Sequence, residues 1–281
     1  MEIVLAKHSG FCEGVERAYR MALRAVRERK PVFILGDLVH NKDVVRAFRN
    51  LGVRRVNSLR RLPRGATLII TAHGVSPGLI GRAEKMGLRL VDTTCPWVKK
   101  AQRLARMLSE SGRQVVIVGD RGHPEVMGLV AWAGGRARIV PDAGALKTLK
   151  LGKKVGVIAQ TTQSKDNFAG VVRELRKRVG DLSVHNTICG ATSKRQCSAS
   201  DLSGRADLML VVGDLKSANT KRLAQICRAA GAQTRQIQND RELRTSWLKG
   251  KKRVGLTAGA STPDWVIDKV LKKVRRHSAS S

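Results

Sequence analysis

Three cysteines divide this chain into parts of similar length. Cys12, Cys95 and Cys189 are each followed 24 residues later by the same dipeptide, Gly36-Asp37, Gly119-Asp120 and Gly213-Asp214. Twenty-eight positions past each cysteine stands His40, His123 or Ser217. Such a spacing identifies a threefold internal repeat, so the fold must be one small unit built three times. The expected divisions are residues 1–94, 95–188 and 189–281, with boundaries near Thr94 and Ile188. The first strand is equally able to complete the third unit in space.

Short β-branched runs occur at Glu2–Ala6, Val32–Leu35, Leu68–Thr71, Leu88–Val91, Val115–Val118, Val155–Ala159, Leu208–Val212 and Val254–Thr257. Between them apolar residues recur at three- and four-residue spacings, as in Val15–Arg29, Val98–Glu110, Asn167–Val179, Asn219–Ala230 and Asp264–Arg275, the signature of amphipathic helices. Strands alternating with helices predict an α/β fold of mostly parallel sheets covered on both faces. Only the tail, Ser278–Ser281, reads as disordered. Each unit also carries a small polar turn after a strand: Ala72-His73-Gly74-Val75-Ser76, Gln160-Thr161-Thr162-Gln163-Ser164 and Ala258-Gly259-Ala260-Ser261-Thr262. Ligands of open parallel sheets bind at the carboxyl ends of the strands, so the three motif sets are expected on one functional face.

One cysteine per unit describes a three-thiolate site for a metal cluster. Pro96 directly follows Cys95, which places that thiol at a helix start; Gly10-Phe11-Cys12-Glu13-Gly14 and Thr187-Ile188-Cys189-Gly190 have the same setting. The partial positive charge there favours an anionic sulfur. A structural zinc site asks for four ligands with close cysteine pairs, and Cys189 and Cys197 are eight apart. Cys197 lies outside the symmetric set and, with Cys227, is expected to be a packing thiol. Three ligands on a four-iron cubane leave one iron open as a Lewis acid. An odd count of five cysteines and no charged-then-apolar leader ahead of Ile3 argue for reduced thiols and a cytoplasmic setting. No run approaches the roughly 18 apolar residues needed to cross a bilayer.

The histidines His40, His73 and His123 fall in the repeat motifs, and with Ser217, Asn219 and Ser261 they form an array of hydrogen-bonding groups suited to a diphosphate. Glu125 follows His123, and a carboxyl in a partly dry pocket can hold a proton near neutral pH and act as a general acid. No Gly-rich lysine loop for nucleotide phosphates is present. The chain carries 54 Lys and Arg against 22 Asp and Glu, a net +32, which draws polyanions and acidic partners. Nucleic acid is disfavoured as the partner, because only nine aromatics occur and none interleave with the basic residues as a stacking platform requires.

The motifs G-F-C-E-G-V (10–15), V-H-N (39–41), A-H-G-V-S (72–76), D-T-T-C-P (92–96), G-H-P-E-V (122–126), Q-T-T-Q-S (160–164), T-I-C-x-A-T (187–192), N-x-x-R-L (219–223) and T-A-G-A-S-T-P-D-W (257–265) occur in the order found in the LytB-type 4-hydroxy-3-methylbut-2-enyl diphosphate reductases, and the chain resembles that family over nearly its whole length. The resemblance implies a trefoil of three α/β units around a [4Fe–4S] cluster held by Cys12, Cys95 and Cys189. It implies reduction of the hydroxylated diphosphate to isopentenyl and dimethylallyl diphosphates, the last step of the non-mevalonate pathway. His40, His73, His123, Ser217, Asn219 and Ser261 match its diphosphate binders, Glu125 its proton-relay carboxylate and Thr161 a contact near the substrate alcohol. Electrons are expected from an acidic ferredoxin or flavodoxin. Ala218 stands where the family usually has a second serine, and Gly190 and Lys194 replace a usual tyrosine and asparagine. The alternatives are another three-cysteine cluster enzyme of the quinolinate synthase or diphthamide type, which lacks the GHPEV and TAGAS motifs, and a nucleic-acid-binding protein with a structural cluster.

Overall fold

The structure is a computed structural model that describes residues 1–28 and 30–279. Arg29, the last residue of the first expected helix, lies outside the described residues, as do Ser280 and Ser281 of the expected tail; Ser278 and Ala279 belong to the final helix instead. The chain opens with β1 (Glu2–Leu5), α1 (Glu13–Glu28), β2 (Val32–Leu35), α2 (Lys42–Asn50), β3 (Arg54–Val56), β4 (Thr67–Ile70), α3 (Pro77–Lys85) and β5 (Arg89–Asp92). It continues through α4 (Pro96–Glu110), β6 (Gln114–Val118), α5 (Pro124–Trp132), β7 (Arg138–Val140), β8 (Lys154–Ala159), α6 (Lys165–Arg176) and β9 (Asp181–Val184). The last stretch is α7 (Gly190–Ser203), β10 (Leu208–Val212), α8 (Ala218–Ala229), β11 (Gln233–Ile237), β12 (Arg253–Ala258) and α9 (Asp264–Ala279).

The strands form three four-stranded sheets of the same order, β3-β2-β4-β5, β7-β6-β8-β9 and β11-β10-β12-β1, and every pairing is parallel. The first strand completes the third sheet. Accordingly residues 1–13 and 40–44 group with those from Gly190 onward in one compact unit, while a second unit holds the other two sheets.

Parallel strands are buried on both faces and so read as continuous apolar runs. In the third sheet Leu208, Leu210 and Val212 face α9 through Val266, Ile267, Val270 and Val274, while Met209 and Val211 face α7 and α8 through Leu202, Leu223 and Cys227. The second sheet repeats this, with Val116 and Val118 toward α6 and Val115 and Ile117 toward α4 and α5. The approach of the helices is close. A Cβ at Gly156 would meet Leu108 of α4 at 2.7 to 3.0 Å, so that strand position requires glycine.

Four strands were not expected from sequence. These are β3, β7, β9 and β11, all at sheet edges, with sequences such as RRV and QTRQI and exposed residues in each. An edge strand buries less of itself and has no need of an apolar run. The helix start expected at Cys189-Gly190 is met by α7, although it shows no apolar periodicity, because Thr192, Arg195, Gln196 and Ser203 are polar residues on its buried side.

Candidate active site

The Gly-Asp pairs lie directly past the central strands. Gly36 N–H donates to Val56 O at 2.8 Å, Gly119 to Val140 O at 3.0 Å and Gly213 to Ile237 O at 2.8 Å, the same bond in each repeat. The cysteines share a second such bond. Cys12 N–H donates to Ala260 O at 3.2 Å, Cys95 to Ala72 O at 3.0 Å and Cys189 to Thr161 O at 3.0 Å. Each cysteine therefore leaves its strand, is pinned by its amide to the polar turn of its own sheet, and opens a helix at Glu13, Pro96 or Gly190. All three thiols are half-buried and outside any disulfide.

These bonds set the alignment of the turns. Ala72, Thr161 and Ala260 are equivalent, and each lies two residues past its strand. His73 therefore stands opposite Thr162 and Ser261. The expectation for the outlying cysteines is corrected in half: Cys227 is buried and its thiol is pushed up by that burial, whereas Cys197 is exposed.

In the unit that holds the first two sheets, Glu125, Thr161, His123 and His73 come together. Glu125 is 2% exposed in the first turn of α5, where its carboxylate accepts the Thr161 N–H at 2.6 Å and the Thr161 hydroxyl at 2.9 Å. Burial raises its pKa from 4.5 to about 7; the two Thr161 bonds oppose the shift and Asp120 adds to it. His123 caps α5, with its Nδ1 accepting the Glu125 N–H at 3.2 Å, and its ring meets that of His73 edge to face, centroids 5.3 Å apart. Sequence reasoning gave no role to Gln160, which is 1% exposed and accepts the Asp120 N–H through Oε1 at 2.9 Å. The Q-T-T-Q-S motif contained it, but nothing in a sequence shows which way an amide points.

In the other unit, Ser217 caps α8 and accepts the Thr220 N–H at 3.3 Å, while the Ser261 hydroxyl donates to the His40 carbonyl at 3.0 Å. The repeat spacing singled out His40, yet the residue that caps α2 is its neighbour Asn41, whose Oδ1 accepts from Asp43 and Val44 N–H at 3.0 and 3.1 Å. Asn219 is 3% exposed, and neither its Oδ1 nor its Nδ2 has a hydrogen-bond partner among the described residues. A buried amide left so costs about 1–3 kcal/mol, which a ligand bearing acceptor oxygens recovers. Ala218, beside it, is buried, while Gly190 and Lys194 are exposed.

Arg195 was also missed, lost among so many basic residues. It is 4% exposed and donates Nη2 to the Gly10 carbonyl at 2.8 Å, fixing the segment that leads into Cys12. Gly10 itself sits at φ +86°, and a Cβ there would meet the Asp264 carboxylate at 2.7 Å.

Fold and site define a repeated, all-parallel α/β chain with a cysteine at the head of a helix in each repeat and a protonatable buried carboxyl beside a threonine. Comparison with known proteins gives that class a family. The chain belongs to the LytB protein family, which it matches over residues 3–275. It is 44% identical to the 4-hydroxy-3-methylbut-2-enyl diphosphate reductase of Pelobacter propionicus, covering 98% of each chain. Identity to the enzyme of that name from Geobacter sulfurreducens is 45%, over 98% of this chain and 97% of the relative. Among solved structures it resembles the E-1-hydroxy-2-methyl-but-2-enyl-4-diphosphate reductase of Plasmodium falciparum with a TM-score of 0.92 at 29% identity, covering 96% of this chain and 87% of that one. A second structure, described as the terminal enzyme of the non-mevalonate pathway, matches with a TM-score of 0.70 at 38% identity, over 98% of this chain and 100% of that one. No helix among the described residues is long and apolar enough to cross a membrane.

Proposed function

We infer that this chain reduces (E)-4-hydroxy-3-methylbut-2-enyl diphosphate to isopentenyl and dimethylallyl diphosphates, taking up two electrons and two protons and releasing water. The observation that carries this reading is the buried Glu125, raised to about 7 and bonded twice to Thr161, in a chain that matches the reductases of that name from end to end.

Cys12, Cys95 and Cys189 are the residues that would hold a [4Fe–4S] cluster with one iron open. The donor set fits: three half-buried thiols outside any disulfide, one per repeat, each residue set by the same amide bond. When bound, the cluster supplies single electrons and Lewis acidity. The chain's own residues do the rest. Asn219 Nδ2, the Ser217 and Ser261 hydroxyls and the imidazoles of His40, His73 and His123 are the donors for the diphosphate; Ser217 and His123 cap α8 and α5, where the partial positive charge of a helix start favours an anion. Near pH 7 Glu125 is close to half protonated. In that form its O–H donates to Thr161 Oγ, and the threonine turns its own proton outward to the substrate's hydroxyl, which leaves as water. The water-poor setting that raises Glu125 also protects the proton from exchange with solvent.

A +32 chain favours an acidic one-electron carrier, a ferredoxin or flavodoxin, as donor, and a cytoplasmic location goes with such a partner. The test is anaerobic purification, an absorption spectrum, and turnover of the hydroxylated diphosphate with a dye reductant. A cluster spectrum with no turnover would sink the assignment of substrate.

A further inference from the structure

A recess lies in the unit that holds the first two sheets, lined in part by Val75 of the turn that carries His73. Its volume is about 330 Å³, within the range of small-molecule sites. Val75, Ile80, Pro96 and Trp132 give it apolar walls, and Arg17 and Arg103 bring cations to it from α1 and α4. Lys99 is present too but is neutralised by Asp92 at 2.5 Å. Arg17 Nη1 donates to Thr94 O at 3.3 Å, whereas Arg103 is exposed and forms no hydrogen bond or ion pair among the described residues. The amide of Gln102 also lines the recess. It is 5% exposed, and its Nε2 donates to nothing. The two guanidinium groups bring cationic donors to one concavity, and a buried N–H without an acceptor is costly. Negative oxygens of an occupant would serve both, while the apolar walls suit a hydrocarbon part.

We propose that this recess binds a small soluble anionic amphiphile, a phosphate or diphosphate ester of an apolar chain, at a site separate from the residues assigned to the substrate. The floor couples it to the turn above. A Cβ on Gly74 would collide with the Gln102 amide, and the Trp132 indole N–H is donated to Val75 O at 3.0 Å. A ligand that pulls on Gln102 therefore acts on the segment that positions His73. The proposal does not rest on the reaction assigned above.

Isothermal titration with geranyl diphosphate tests it, in the intact protein and in Arg103→Glu, a substitution at an exposed, unpartnered side chain. We expect binding that Arg103→Glu weakens at least about tenfold and Arg103→Lys restores, with the melting temperature unchanged. Arg17→Ala is the second variant and should weaken it likewise. Asn219→Ala, which disturbs the other diphosphate-binding candidates, should leave this binding in place. Inorganic pyrophosphate, which has no chain to lay on the walls, should bind about tenfold more weakly or worse. The idea is overturned by no binding to the intact protein, by equal affinity for pyrophosphate, by indifference to both arginine substitutions, or by binding only to phosphatidic acid vesicles.

Discussion

Glu125→Gln separates two consequences of one buried carboxyl. The amide is nearly isosteric, so its carbonyl can keep the 2.6 Å bond from the Thr161 N–H and its NH₂ can donate to the hydroxyl now 2.9 Å away. What disappears is the proton that can be given up. Turnover should fall by about 10²–10⁴-fold, the usual range for losing a general acid, while iron content stays the same. Stability should move the other way, and its pH dependence is fixed by the raised pKa. A shift from 4.5 to about 7 means that the folded protein holds this proton more tightly than the unfolded chain does. Native stability is therefore lost as pH rises from 4.5 to 7 and levels off above it, by roughly 3 kcal/mol at most. Glutamine does not titrate and escapes that loss. Urea midpoints for both proteins between pH 5 and 8.5 should converge at the acid end and separate toward neutrality, with the variant the more stable. A gap that stays flat across that range, or a kcat within a few-fold of the parent, would refute the reasoning.

Replacing Cys12, Cys95 or Cys189 with serine should remove most of the iron, measured by chelation assay, whereas Cys197→Ser and Cys227→Ser should retain it; full iron in Cys95→Ser overturns the ligand assignment. Ser261→Ala, which breaks the 3.0 Å bond to the His40 carbonyl, should chiefly raise KM by about two- to tenfold with kcat little changed. With an acidic protein carrier the rate should drop as salt rises past 0.1 M, where charges are screened beyond about 10 Å, and with a neutral dye it should not; equal salt effects would remove steering as an explanation of the +32 charge. Gly156→Ala should lower stability by about 1–3 kcal/mol in a thermal melt, since its methyl collides with Leu108.

Much of this was decided locally and could be read from the chain. The threefold interval from cysteine to Gly-Asp set the repeat, and the buried central strands announced themselves because a strand covered on both faces has no polar positions to spare. Pro96 marked a helix start, since proline's fixed φ and missing N–H suit the first turn. Glu125 and Thr161 were legible as residue types in motifs. Their contact was not, since a bond across 36 residues depends on how α5 and the turn after β8 are brought together. Only the tertiary structure joined β1 to β12, because pairing partners in a parallel sheet are set by crossovers and not by neighbours in sequence. It also drew Arg195 of α7 out of a surface full of arginines, left the amide of Asn219 without a partner, and raised Glu125 to about 7. Each of these is a matter of burial, and burial is conferred by the segments that pack over a residue, which the residue itself cannot specify.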